Sequence, residues 1–161
     1  MESQVAVGPV AAPFEAVVAP YYDGLVRRLA FIVGDAEEAR DLTQAAYAKA
    51  LEAWPRFDGT DPRGWLYTIG INLALSELRR RRLWRRRAPV AEPTWAMRVD
   101  PDLWQAIGEL EPPQRAALLL NVLDGYTQAE IGQLLNVPSG TVASWLSRTK
   151  AQLRQRLGEE R

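Results

Sequence analysis

Between Thr127 and Lys150 the chain is constrained to two helices joined by a tight turn. Thr127 stands three residues ahead of Glu130, the spacing of a capping box, in which hydroxyl and carboxylate each satisfy a backbone N–H left open by the first helical turn. Ile131, Leu134 and Leu135 follow at helical spacing, and Asn136-Val137-Pro138 then breaks the helix. Ser139-Gly140-Thr141 opens a second helix with Val142, Leu146, Leu153 and Leu157 on one stripe. This is the outline of a helix-turn-helix, whose second helix, in a nucleic-acid-binding unit, enters a major groove and presents its N-terminal residues to base edges. An αα-corner that merely closes a small helical domain has the same outline, so the motif needs support from the rest of the chain.

Upstream, the apolar residues keep helical periods throughout. Phe14, Val17, Val18, Tyr21, Leu25, Leu29 and Ile32 recur at three- and four-residue steps, with Pro20 expected to break or kink the first turns. Gly34-Asp35 ends that arm and starts the next, since Asp35 and Glu38 have N-cap and N3 spacing. Trp54-Pro55 stops this second helix, a loop around Gly59 follows, and Asp61-Pro62 supplies an N-cap and a first-position proline. The third helix is expected to turn Leu66, Ile69 and Leu73 inward and Tyr67, Thr68, Ile71, Asn72 and Leu75 to its flanks and outer face. Ala88 to Val99, with Pro89 and Pro93 and no sustained period, reads as a linker, although Trp95 and Met97 are unusual in a solvated tether. Beyond it, Asp100-Pro101 and Pro112-Pro113 each start a short helix, the second carrying Leu118, Leu119 and Val122 and closed by Asp124-Gly125. No strand alternation, internal repeat or long heptad run is present. The reading is all-α: a flexible N-terminus over 1–13, one helical domain over 14–87, a flexible linker over 88–100 and a helix-turn-helix domain over 101–158.

Composition removes several function classes. The 161 residues include no cysteine and no histidine, so disulfides, Cys- or His-based zinc sites, Cys or His nucleophiles and imidazole acid/base catalysis are absent together. Ser139, Ser144 and Ser147 have no histidine base, and no glycine-rich loop suits a phosphate. Asp35, Glu37, Glu38 and Asp41 are better read as caps and a solvated acidic face than as magnesium ligands. The expectation is a non-enzymatic protein without metal or cofactor. Nothing approaches the roughly 18 apolar residues of a membrane span, and Met1 to Pro13 lacks the basic start of a signal peptide, which points to a cytoplasmic protein with no membrane insertion.

The formal net charge is zero, yet the charges are segregated. Seven arginines fall between Arg79 and Arg87, while acids crowd the stretch from Asp35 to Asp41. Segregation of this kind suggests two partner surfaces. The basic block, interrupted by Leu83 and Trp84, reads best as a phosphate-contacting surface; a solvated helix end or a localisation tract are its plainer alternatives.

Three stretches in register resemble one family. Asp35-Ala36-Glu37-Glu38-Ala39-Arg40-Asp41-Leu42-Thr43-Gln44, then Trp65-Leu66-Tyr67 with Asn72-Leu73-Ala74, then Pro138-Ser139-Gly140-Thr141-Val142 are similar to bacterial sigma factors of the extracytoplasmic-function group of the sigma-70 family. The likeness runs from about Phe14 to Leu157. It implies a promoter-specificity subunit that binds core RNA polymerase, melts promoter DNA and directs initiation, with an anti-sigma factor as a family-habit partner. Asp41, Leu42, Gln44 and Tyr47 would meet the β′ coiled coil, and Leu118, Leu119 and Val122 the β flap, with core packing the equal alternative for the last three. Phe57, Trp65, Tyr67 and Asn72, with Arg79, Arg80 and Arg82, would serve the minus-ten element as single strand, where a flipped base needs aromatic stacking and edge hydrogen bonds. Ser139, Thr141, Ala143, Ser144, Ser147 and Arg148 would face the minus-thirty-five duplex.

The departures from the family pattern matter too. Ala45 stands where many relatives have glutamate, and Ala143 and Trp145 replace basic residues common in the recognition helix. A bidentate arginine–base contact supplies about 1–3 kcal/mol of discrimination, so promoter reading is expected to be weakened or altered. Two alternatives follow: a sigma mimic that sequesters an anti-sigma factor without reading DNA, and a stand-alone helix-turn-helix regulator acting as a dimer.

Overall fold

The architecture follows from where prolines, glycines and capping side chains interrupt otherwise continuous helical periods. A computed structural model describes residues 12–82 and 100–158, and all regular structure among them is helical. The tail 1–11, the arginines from Arg85 to Arg87 and the linker with Trp84, Trp95 and Met97 lie outside the described residues.

In the first domain, α1 (Phe14–Val18) passes through a 3₁₀ turn (Ala19–Tyr21) into α2 (Tyr22–Val33), so Pro20 interrupts the arm as expected. Gly34, at φ 78°, ends α2 by donating its N–H to Ala30 O at 2.8 Å, a left-handed position suited to glycine. Asp35 then caps α3 (Ala36–Ala53), its carboxylate accepting the Glu38 N–H at 2.7 Å. The Glu38 side chain does not close a reciprocal box. It pairs instead with Arg81 at 2.7 Å, because the end of the third long helix brings a guanidinium within reach. A 3₁₀ turn (Trp54–Arg56) and the loop 57–61 lead to α4 (Pro62–Arg82), where Asp61 Oδ1 accepts the Gly64 N–H at 3.0 Å. A Cβ on Gly64 would stand 2.0 Å from the other Asp61 oxygen, so this cap requires the glycine.

Helices α2, α3 and α4 pack pairwise around Leu25, Leu29, Ile32, Leu66 and Ile71. The inner face of α3 is Ala39, Thr43, Ala46 and Ala50, small residues that let its neighbours approach closely. The buried stripe of α4 is rotated from the expected one. Leu66, Tyr67, Ile71, Ala74 and Leu75 are buried, whereas Ile69 and Leu73 are only half-buried. The reason is that α4 is covered on two sides, by α2 and α3 and also by the second domain, which the periodicity of α4 alone does not reveal.

The second domain is built from α5 (Pro101–Gly108), α6 (Pro112–Val122), α7 (Gln128–Leu135) and α8 (Ser139–Gly158). Asp100 caps α5 through the Asp102 N–H at 2.9 Å. At α7 the expected capping box is complete: Glu130 accepts the Thr127 N–H at 2.7 Å, and Thr127 Oγ1 accepts the Glu130 N–H at 3.2 Å. Asn136 ends α7 in the left-handed region at φ 54°, and Val137 N–H bonds Gly132 O at 2.9 Å. Gly132 has no room for a side chain, since a Cβ would lie 2.7 Å from Val137 O. The stripe of α8 is Val142, Leu146 and Thr149, while Leu153 is half-buried and Leu157 exposed, because the last turns run past the domain they start in.

The two domains share one apolar core. Helix α2 packs on α6, and α4 packs on α6 and α7. Phe31 meets Trp104 with ring centroids 4.8 Å apart, and Arg115 Nη1 donates to Phe31 O at 3.3 Å. Beside them Arg28 makes a bidentate ion pair with Asp124, through Nε to Oδ2 at 2.6 Å and Nη2 to Oδ1. The two side chains are 14% and 1% exposed.

Tyr47 ties α3 to the interrupted arm, its hydroxyl donating to Val18 O at 2.6 Å beside the Phe14 and Tyr22 rings. Burial, reinforced by the neighbouring Tyr67, Tyr22 and Asp23, pushes its pKa up to about 12. Tyr47→Phe is expected to lower stability by about 0.5–1.5 kcal/mol, and the melting temperature by roughly 2–4 °C, measured by thermal unfolding. A folded pKa above the unfolded value stabilises fully below the unfolded pKa and loses that contribution as pH rises through about 12. The wild-type advantage over Tyr47→Phe therefore shrinks from about pH 10 upward, and equal stability of the two proteins at pH 8 would refute the role of the hydroxyl.

Candidate nucleic-acid and polymerase interfaces

Three aromatic rings collect where α3 gives way to α4. Trp54 stacks on Phe57 at 5.1 Å with 17° between planes, and Trp65 lies 4.7 Å from Phe57 and 6.0 Å from Trp54. The 3₁₀ turn and the Asp61 cap hold these rings on either side of a loop whose Asp58 accepts both the N–H and the hydroxyl of Thr60. Those bonds hold the Asp58 carboxyl below its usual range. Phe57 and Trp65, both half-buried, open onto a cleft of about 510 Å³ with Arg56, Asp58, Asp61 and Thr68. Flat rings beside loop polar groups are the furniture that stacking of an unpaired base requires. The opposite wall belongs to the second domain: Tyr126, Glu130, Gln133 and Leu134.

Tyr67 does not stand where the sequence placed it. Expected on the outer face, it is 3% exposed, with the guanidinium carbons of Arg28 and Arg63 at 5.1 and 5.9 Å from its ring centre. Burial raises its pKa, and Arg28 opposes that shift. Asn72 is half-buried in a separate groove of about 210 Å³ with Leu75, Leu78, Arg79, Pro112, Pro113, Leu135, Val137 and Trp145. Of the seven minus-ten candidates that the resemblance implied, the structure brings Phe57 and Trp65 to one cleft and sets Asn72 and Arg79 in the other groove.

Arg79, Arg80 and Arg81, near the end of α4, are exposed. Arg80 forks onto Glu77 at 2.6 and 3.1 Å, and Arg81 bridges Glu77 and Glu38. The Arg80 hydrogen bond holds the Glu77 carboxyl below its usual range. Arg79 Nη2 reaches Ser76 Oγ at 3.5 Å, and Arg82 is the last residue of the helix. On α8, Ser139, Ser147 and Arg148 are exposed, and Arg148 Nη2 donates to Ser144 Oγ at 2.8 Å. Thr141, Ala143 and Ser144 are half-buried, and Trp145 turns away from that surface into the groove beside Asn72.

On α3, Asp41 and Gln44 are exposed and continue in helical phase to Leu51, which is 52% exposed and which the sequence reading missed. Leu42 and Tyr47 are half-buried, the latter occupied by its bond to Val18. On α6, Leu118 and Leu119 belong to the core, while Val122 and the unforeseen Leu123 are 61% and 59% exposed. Of the three α6 residues, then, only Val122 is exposed. The other missed residues are Arg28 and Asp124. A lone arginine three residues after Leu25 and one before Leu29, in the apolar phase of α2, was the available signal.

Comparison with known proteins fits this geometry. The family model for sigma-70 region 2 matches residues 17–83, and that for sigma-70 region 4 matches residues 101–153. The chain is 33% identical to ECF RNA polymerase sigma factor SigE of Mycolicibacterium smegmatis, over 87% of this chain and 63% of that protein. It is 31% identical to RNA polymerase sigma factor CarQ of Myxococcus xanthus, over 88% of this chain and 85% of that one. Among solved structures, the sigma factor RpoE in complex with the anti-sigma factor NepR from Bartonella quintana has the same fold, with TM-score 0.72 and 22% identity over 92% of this chain and 98% of that one. CnrH in complex with the cytosolic domain of CnrY gives TM-score 0.68 and 23% identity over 92% and 89%. A region-2 helical domain, a helix-turn-helix region-4 domain and this level of identity place the chain in the extracytoplasmic-function group of the sigma-70 family.

Proposed function

We propose that this chain is a promoter-specificity subunit: it joins core RNA polymerase, opens promoter DNA with its first domain and reads duplex DNA with its second. One observation carries the assignment of roles. In a sigma-70-family chain, the aromatic loop of the first domain and the capped helix-turn-helix of the second are both built to completion. Phe57 and Trp65 stack the captured strand, Asn72 reads a base edge, and Arg79, Arg80 and Arg82 hold phosphates. Ser139, Thr141, Ala143, Ser144, Ser147 and Arg148 face the minus-thirty-five duplex, and Arg148 is the only cation among them, so base discrimination there is modest.

The β′ coiled coil is met by Asp41, Leu42 and Gln44 with Leu51 extending the strip, and the β flap by Val122 and Leu123. The work is binding, without a catalytic step, and the compartment is the cytoplasm, where the polymerase is. Among the described residues no helix is long and apolar enough to cross a membrane. An anti-sigma partner is supported by the solved structure of the sigma factor RpoE, which is in complex with the anti-sigma factor NepR. The placement of Trp145 in the groove rather than on the duplex-facing side favours one second reading, a mimic that binds an anti-sigma factor and leaves DNA unread.

Core polymerase supplemented with this chain is expected to initiate at promoters selected from a random library, and failure to form any complex with core enzyme would exclude the assignment. Asn72→Ala should reduce promoter opening, followed by permanganate footprinting, with core affinity unchanged; loss of core binding would remove Asn72 from the DNA surface. In a salt titration, four phosphate contacts give a log–log slope near −3 for single-stranded promoter DNA, and Arg79→Gln or Arg82→Gln should each flatten it by about 0.7. A slope unmoved by both substitutions would show that the helix end does not touch phosphate.

A further inference from the structure

We propose that Arg81 is a positioning residue: held by Glu38 and Glu77, it fastens the last turn of α4 to α3 and aims the arginines that hold promoter phosphates, without touching DNA itself. This role rests on the function proposed above and deepens it.

The last turn of α4 has little else to hold it. Leu75 is buried and Leu78 half-buried, but Arg79, Arg80 and Arg81 are exposed. The carbonyls of a final turn have no partner within the helix, so an end without packing frays. Arginines there suit the helix dipole but do not fix a direction.

Arg81 supplies the anchor. Its Nη1 donates to Glu38 Oε2 at 2.8 Å, its Nη2 lies 2.7 Å from Glu38 Oε1, and its Nε donates to Glu77 Oε1 at 3.3 Å. All three guanidinium nitrogens thus face a carboxylate, which leaves no edge for a phosphate fork. The side chains of the two acids are only 15% and 24% exposed, so the contact is made against the body of the domain. Glu38 has the spacing to turn its carboxylate back to the Asp35 N–H, yet that carboxylate meets Arg81, 43 residues on.

Helical geometry converts the tie into aim. At 3.6 residues per turn, Arg80 lies about 100° and Arg79 about 200° round the helix from Arg81. With Arg81 turned onto α3, Arg79 lines the groove beside Asn72, and Arg80 stays 71% exposed, forked to Glu77 of its own helix. Arg79 meets only Ser76 Oγ, at 3.5 Å, among the described residues. The guanidinium with every nitrogen engaged is the anchor, and its neighbours are left for phosphate.

Charge and position predict opposite results at Glu38. If Arg81 were one more phosphate contact, removing Glu38 would release it to the DNA, tighten binding and steepen the salt slope by about 0.7. A positioning role gives weaker binding, because the helix end must then be ordered when the strand binds. The test uses core polymerase preassembled with the full chain and a single-stranded oligonucleotide carrying the minus-ten stretch of a library-selected promoter. Glu38→Ala and Arg81→Gln should each weaken oligonucleotide binding about fivefold and leave the log–log slope at its wild-type value, in contrast to Arg79→Gln. In the free chain, hydrogen exchange at the amides of Arg79 to Arg81 should be about tenfold faster in both variants. Glu109→Gln, which breaks the Glu109–Arg156 pair of the second domain, should change neither measurement. Circular dichroism identifies any variant that has lost its helices, and Arg81→Gln, at an exposed helix end, then decides the case. Tighter binding by Glu38→Ala, or a flatter slope in Arg81→Gln, overturns the positioning role; unchanged exchange in both variants overturns the tie. If exchange responds as expected but the wild-type chain forms no complex with core enzyme, the function proposed above fails, and the aiming of phosphate contacts with it, while the tie stands.

Discussion

The contact on which the described structure depends is the seam between α2 and the second domain. Helix α2 has two working faces: Leu25, Leu29 and Ile32 complete the first core, while Arg28 and Phe31 meet Asp124 and Trp104 of the other domain. A 12-residue helix with so much of its circumference covered has little solvent-facing surface left. That is why its single arginine in the apolar phase is placed by the partner domain as well as by its own sequence neighbours. The bidentate geometry satisfies Arg28 on one side, and Gly24 O accepts a further hydrogen bond at 3.0 Å. Gly24 has a further constraint, since a Cβ there would stand 2.6 Å from the Tyr67 hydroxyl. Gly24 thus sets how closely α2 approaches α4, while the buried charge pair joins the two domains.

That seam also separates what was legible in the sequence from what was not. Every helix boundary marked by a local signal was legible: Pro20, Gly34-Asp35, Trp54-Pro55, Asp61-Pro62, Asp100-Pro101 and the Thr127–Glu130 box all fall at element ends, because capping and proline effects act within a few residues. The burial pattern of α4 was not legible, because Tyr67, Ile71 and Leu75 are covered by helices far away in the chain. The same limit applies to Glu38, whose spacing suits a capping box but whose carboxylate meets Arg81, 43 residues on. For the candidate site, the resemblance pointed to Phe57 and Trp65, which a short loop holds together, whereas helical period turned Tyr67 outward although it is buried beneath Arg28 and Arg63. Leu118 and Leu119 show the converse: an apolar run on α6 identifies a helix with two apolar sides but not which side is left for a partner.

Electrostatics explains how a chain of zero net charge serves an anionic ligand. The positive end of α4 is partly compensated at home, with Arg80 and Arg81 engaged by Glu77 and Glu38. These exposed pairs contribute little to stability, and a phosphate can exchange for a carboxylate at small cost. The acids thus keep the basic helix end ordered without blocking its use. On α3, Asp41 is exposed and makes none of these pairs.

Trp145 brings these strands together. A tryptophan in the recognition helix gives no bidentate readout of a base pair, and here its ring lies in the groove with Pro112, Pro113 and Asn72. The residue that departs from the family pattern therefore lines a groove shared with the first domain. An arginine at this position would face an apolar groove and lose hydration without an acid to meet it.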